Sequence, residues 1–258
     1  MEYIYDGSFD GLLSCFYAHV YTDIADAIIT EEDSRQMGLL AERTLIVTDE
    51  EKSEKVANAI EKKISPAALR RCYRAFLSCV DGREMDILRY VFLGFKIGAN
   101  VDMMHGDPIV RKMDLLNHKT SWELERFLGI LRFSVVYNEN NHEVLYAPFA
   151  PNADLIQLMM PHFLNRYRRE AFVIHDLKRE KAAFSSGGCW VMRPLPKSFA
   201  PSVTKDEEAY RNLWKDYFSA ASIKERTNHK LQKQFIPRRY WQHLTEMSAA
   251  GSLRDTIL

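Results

Sequence analysis

L-R-F-S-V-V-Y-N-E-N-N-H-E-V-L-Y-A-P-F, residues 131–149, decides the fold. Two runs rich in β-branched and aromatic residues flank a polar N-E-N-N turn, the pattern of two paired strands. The runs A-F-V-I-H-D (171–176), K-A-A-F (181–184) and C-W-V-M (189–192) follow, separated by L-K-R-E and S-S-G-G turns. A helical pattern over about 153–167 sits between the second and third strands. Connections this short predict an antiparallel sheet, and with it an α+β fold rather than a doubly wound parallel one.

Toward the N-terminus the pattern turns helical. A short strand at 2–5 is followed by an apolar helix over 8–20 and two strand-like runs at 26–30 and 44–48, a small α/β part. Thr48 and Glu51 have capping-box spacing and open a helix to about Lys63. Ser65-Pro66 reads as an N-cap with proline at the first helical position, starting a helix to about Val80. Further helices are predicted over 84–97 and 108–127, with a break near Asn117-His118-Lys119 because Thr120 and Glu123 repeat the capping spacing. The expected division is 1–107 for the N-terminal α/β and helical region and 108–258 for the sheet-bearing part, or one compact unit.

Toward the C-terminus, P-L-P-K-S-F-A-P-S-V (194–203) is the one linker-like stretch. Beyond it Thr204 and Glu207 cap a helix on which Tyr210, Leu213, Trp214, Tyr217 and Phe218 recur at helical spacing. Ser222 and Glu225 open a second helix, interrupted by Pro237, so the C-terminal part reads as a helical hairpin. Between Arg211 and Trp241 stand eight Lys/Arg against two acids. Cations beside flat rings suit phosphates and bases. The same pattern also describes a helical hairpin with rings in a core and cations in water. Arg166, Arg168 and Arg169 form a second basic patch, where cations also complement the C-terminal end of a helix.

The zero net charge hides a split: residues 1–61 hold 14 Asp/Glu and 4 Lys/Arg, leaving 21 acids and 31 bases for the rest. A basic remainder favours a polyanionic partner, and an acidic end suits a basic one. Four cysteines (15, 72, 79, 189) form no C-x-x-C pair, which predicts a reduced, cytoplasmic protein without structural metal. Cys72 and Cys79, seven apart, are expected on one helix face as small core residues. No apolar run approaches the roughly 20 residues of a membrane helix, and the N-terminus lacks a secretory leader. No hydrolase, nucleotide-binding, metalloprotease or iron–sulfur signature is present, so no cofactor is expected. His162, His175 and Asp176 are the candidates for acid–base chemistry, with satisfied structural histidines as the other reading.

Three blocks carry a resemblance: Y-I-Y-D-G-S-F-D-G-L-L (3–13), H-K-T-S-W-E-L-E-R-F-L-G-I-L-R-F (118–133), and 213–244, which ends in F-I-P-R-R-Y-W-Q-H-L. Together with A-P-N-A-D-L-I-Q-L-M-M-P-H-F-L-N-R-Y (150–167) they resemble a bacterial family of DNA-metabolism or DNA-repair proteins bearing a C-terminal domain of unknown function. The resemblance implies a gene neighbour of the radical-SAM class, and in other bacteria fusion to a uracil-DNA-glycosylase-like domain. This chain has no room for that glycosylase and no radical-SAM cysteines, so it looks like the stand-alone partner form. The resemblance supports nucleic-acid contact by Arg226, Asn228, Arg238, Arg239, Tyr240 and Trp241, with Lys215 and Lys230 in the same cluster. The expected role is a DNA-binding accessory subunit with a radical-SAM partner. A DNA-acting enzyme and a protein scaffold are the alternatives.

Overall fold

The computed structural model describes residues 2–22, 28–31, 43–138, 140–223, 226 and 228–247. The chain forms two compact units, Met1–Trp122 and Glu123–Leu258.

In the first unit, β1 (Glu2–Tyr5) lies between β2 (Ile28–Glu31) and β3 (Arg43–Leu45), all parallel. The β2 position agrees with the strand-like run at 26–30, of which 26 and 27 fall outside the described residues. Helix α1 (Phe9–Thr22) starts where the Ser8 hydroxyl accepts the Gly11 N–H at 2.9 Å. The Thr48 hydroxyl donates to the other end of this turn, Asp6 Oδ2, at 2.8 Å. Thr48 is therefore not the cap of α2 (Glu50–Lys63); Asp49 is, accepting the Lys52 N–H at 3.1 Å.

Ser65 caps α3 (Pro66–Leu77) as its sequence indicates, accepting the Ala68 N–H at 3.0 Å. The helix stops at Leu77, so the expected shared face of Cys72 and Cys79 does not form. Cys72 is buried, while Cys79 lies past the helix end, exposed, with φ of 51°. Helix α4 (Arg83–Ile97) and a 3₁₀ turn (Gly98–Met103) follow. The core of this unit gathers Tyr3, Tyr5, Leu12, Phe16, Ile60 and Tyr90.

Helix α5 (Pro108–Ile130) runs without a break at 117–119. The hydroxyl of Thr120 donates to the Arg74 carbonyl at 2.8 Å, so it does not cap a new helix. Glu123, the other half of the supposed capping box, accepts the Asn152 and Ala153 N–H groups at 3.0 and 2.8 Å.

The second unit is built on a five-stranded sheet in strictly sequential order. Its strands are β4 (Ser134–Tyr137), β5 (Glu143–Phe149), β6 (Phe172–Asp176), β7 (Lys181–Ser186) and β8 (Cys189–Pro194). The α+β reading holds, with one refinement to the sheet. Three pairings are antiparallel, but β5 and β6 run parallel. The reason is α6 (Ile156–Arg166), which carries the chain back across the sheet as a crossover helix, something a tight turn cannot do.

One sheet face packs Phe149, Phe172, Ile174 and Ala183 against Ile156, Met159 and Phe163 of α6 and Phe127 of α5. Phe127 meets Phe149 edge-on at 5.1 Å, and Phe133 meets Phe163 at 5.2 Å. Phe127, Phe149 and Phe163 are fully buried, and each such ring contributes about 1.5–3 kcal/mol. The linker after β8 crosses the opposite face, placing Phe199 against Tyr146 and His175. It ends in a bridge between Val203 and Val136 and in the Thr204 N–H donating to the Val135 carbonyl at 3.1 Å. This covers part of the outer edge of β4, which would otherwise offer unpaired backbone groups.

Candidate nucleic-acid interface

The basic and aromatic stretch folds as α7 (Lys205–Ala221), α8 (His229–Phe235) and a 3₁₀ helix (Arg238–His243). Thr204 caps α7 as its spacing predicts, accepting the Glu207 N–H at 3.1 Å. Glu207 does not complete the box. Its carboxylate takes the Val135 N–H at 3.2 Å and the Arg211 Nε at 3.0 Å, and Arg211 also donates to the Ser134 hydroxyl. The first turns of α7 are thus fastened to the edge strand β4.

Farther along, the Trp214 indole N–H donates to Glu246 at 3.2 Å, and Arg132 holds the other oxygen of that carboxylate at 3.0 Å. Burial opposes ionisation of Glu246, but the donors on it prevail and hold its carboxyl below the usual range.

The apolar stripe of α7 is not core. Tyr210 is 69% and Tyr217 62% exposed, and Leu213, Trp214 and Phe218 are exposed with them. Trp214 and Tyr217 lie side by side, centroids 5.7 Å apart and planes tilted by 33°. On the following elements Ile223, Leu231 and Phe235 are also exposed. A helix that hides its stripe gains its stability from that packing, and a contiguous exposed stripe marks an interaction surface.

Among the described residues, Lys215, Arg226, Lys230, Lys233 and Arg238 meet no carboxylate at ion-pair distance. Arg226, Lys230, Lys233 and Arg238 are exposed and Lys215 is half-buried. Lys224 and Glu225, hence the supposed Ser222–Glu225 box, lie outside the described residues. Asn228 caps α8, its side-chain oxygen accepting the Leu231 N–H at 3.0 Å.

The R-R-Y-W block splits by role. Tyr240 is 1% exposed, its ring edge-on to Phe127 at 4.7 Å. Its hydroxyl donates to Glu123 and accepts from Arg239 at 2.8 Å, and burial pushes its own ionisation up to about 12. Tyr240 therefore corrects the expectation of a base platform: it is a core residue. Arg239 remains exposed but is engaged, stacking on the Tyr240 ring at 4.7 Å and lying 3.7 Å from Glu123. Trp241 is half-buried, its indole donating to the Ile236 carbonyl at 2.8 Å. Arg238 alone of the four projects exposed and without an ion pair among the described residues.

The second patch sits at the C-terminal end of α6. Arg166 lies over the Tyr167 ring at 5.6 Å, Arg168 bonds Asn165, and Arg169 is exposed. Tyr167 packs on Phe133 at 4.9 Å, while the adjacent Arg132 carries the Glu246–Trp214 link, so residues 132–133 touch both patches. In the nearby turn Arg179 pairs with Asp176 at 2.8 Å and Lys181 pairs with Asp154, while Lys178 is exposed and meets no carboxylate at ion-pair distance among the described residues.

The acid–base candidates are largely occupied by the fold. His175 has 0% exposure; one ring nitrogen faces the Tyr146 hydroxyl at 2.7 Å and the other the Leu195 carbonyl at 3.1 Å. That pattern fits a neutral ring donating from Nε2, and burial lowers its basicity. Asp176 is equally buried, accepts the Lys178 and Arg179 N–H groups, and pairs with Arg179. Burial raises its carboxyl despite those donors. His162 is exposed on α6, beside Phe163. His175 and Asp176 are both sealed from solvent, which favours the other reading of these candidates, satisfied structural side chains. No three His, Cys, Asp or Glu side chains among the described residues gather to hold a metal ion. No helix among them is long and apolar enough to cross a membrane.

No curated protein matches the sequence. A family model does, over residues 81–246, a stretch that runs from the turn before α4 through the sheet, α7 and α8 to Glu246. The chain belongs to the family described as Domain of unknown function (DUF4130).

Proposed function

We propose that this protein is a nucleic-acid-binding accessory subunit of DNA metabolism or repair that works beside a radical-SAM partner. One observation carries the nucleic-acid reading: the segment from α7 to the last 3₁₀ helix exposes a stripe of rings together with cations that no carboxylate among the described residues neutralises. The protein-scaffold alternative predicts such cations paired with neighbouring acids, as Arg211 is with Glu207. Free cations beside rings supply the two contacts a nucleic acid needs, phosphate attraction and base stacking. The DNA-repair setting and the radical-SAM partner rest on the resemblance of the three sequence blocks.

Backbone hydrogen exchange with and without a DNA oligonucleotide tests the reading. Protection is expected within residues 205–243. Exchange unchanged there, at DNA concentrations that saturate the protein, would place the binding elsewhere and remove the proposal's basis.

A further inference from the structure

We infer that the α7 face is built for single-stranded nucleic acid, with Tyr210, Trp214 and Tyr217 as the surfaces on which unpaired bases stack; this rests on the nucleic-acid reading above. In a duplex the bases are already stacked on one another, and an outside ring reaches only groove edges and backbone. Rings standing free on a convex helix are useful to bases that have no partner of their own. The three side chains follow one stripe and span seven residues, about 10 Å of helix axis at the α-helical rise. Successive bases stand about 3.4 Å apart when stacked, so the stripe matches a run of a few nucleotides.

The ring geometry adds detail. Trp214 and Tyr217 are separated by 5.7 Å and tilted by 33°. A base inserted between two rings needs about 7 Å, twice the stacking distance. Bases therefore stack on the outer ring faces rather than in the gap. Trp214 is fixed in orientation by its bond to Glu246, which Arg132 in turn holds. A ring held in place loses less freedom on binding than a swinging one. Tyr210 and Tyr217 are the more exposed pair. Arg226, just beyond α7, is exposed and without an ion pair among the described residues, available to the backbone of a strand running along the stripe.

The test compares a fluorescein-labelled dT12 strand with a 12-bp duplex by anisotropy at 50 mM salt, using wild type, Tyr210→Ala, Tyr217→Ala and Tyr217→Phe. Neither tyrosine belongs to the buried core, so both alanine variants are expected to fold, which circular dichroism checks. The inference predicts tighter binding of dT12 than of duplex. Each alanine change should weaken dT12 binding about five- to a hundredfold, the range one base–ring stack provides. Tyr217→Phe should bind as wild type, and duplex binding should hardly change. Duplex preferred over dT12, or dT12 binding unchanged in both alanine variants, overturns the inference and leaves the nucleic-acid reading standing. No binding of either probe by wild type overturns both, and assigns the exposed stripe to a protein partner.

Discussion

Tyr240 and Arg238 show how little residue type says about role when side chains are neighbours in sequence. Both belong to one basic–aromatic block, yet Tyr240 is sealed under Phe127 and Glu123 while Arg238 projects into solvent. The difference arises because the 3₁₀ helix turns one side chain in three toward the core, and Glu123 waits there to receive it. The pair gives a clean contrast. Tyr240→Phe removes a hydroxyl from a buried network and should cost about 1–3 kcal/mol of stability, read by chemical denaturation, with DNA affinity unchanged. Arg238→Ala should leave stability within about 0.5 kcal/mol and weaken DNA binding.

Histidine protonation couples stability to pH. Burial lowers the basicity of His175, and lowers that of His243 to about 4. A folded state that holds a histidine neutral gains stability that is present above the ordinary value of 6.5 and lost as pH falls through the lowered folded value. The melting temperature should therefore drop between pH 7 and pH 4.5. His175→Gln, which keeps polar contacts but cannot titrate, should show a smaller drop.

Among the elements, those fixed by local chemistry were the most legible in the sequence. Ser65-Pro66 and Thr204 cap their helices where their spacing says they should. Capping signals failed where a distant partner outbid the local one. Thr48 answers Asp6 rather than α2, and Thr120 answers the Arg74 carbonyl, so α5 runs through the expected break. The parallel pairing of β5 with β6 is a consequence of the α6 crossover; strand lengths and turns alone pointed to an all-antiparallel sheet. Nor could periodicity tell whether the α7 stripe faces a core, because an exposed stripe and a buried one have the same spacing. The turn between β1 and α1 offers a test of the tertiary clasp. A Cβ on Gly11 would stand 2.3 Å from Asp6 Oδ1 and 2.9 Å from Thr48 Oγ1. Gly11→Ala should destabilise the fold by about 1–3 kcal/mol through that crowding, measured as a lowered denaturation midpoint.

At the scale of the whole molecule, net charge is the least informative number and its distribution the most. The chain is neutral overall, with an excess of ten acids in residues 1–61 and of ten bases beyond them. Composition located the basic side. Only the structure separated cations engaged in ion pairs, such as Arg132, Arg179, Arg211 and Arg239, from those that meet no carboxylate among the described residues.

The most direct measurement is the salt dependence of single-stranded DNA binding for wild type and for the Arg226→Ala, Lys230→Ala, Arg238→Ala triple variant. Each lost phosphate contact should flatten the slope of log affinity against log salt by about 0.7. The account predicts a steep wild-type slope, reduced by roughly two units in the variant, with the fold intact. Equal slopes for the two proteins, or wild-type binding insensitive to salt, would contradict it.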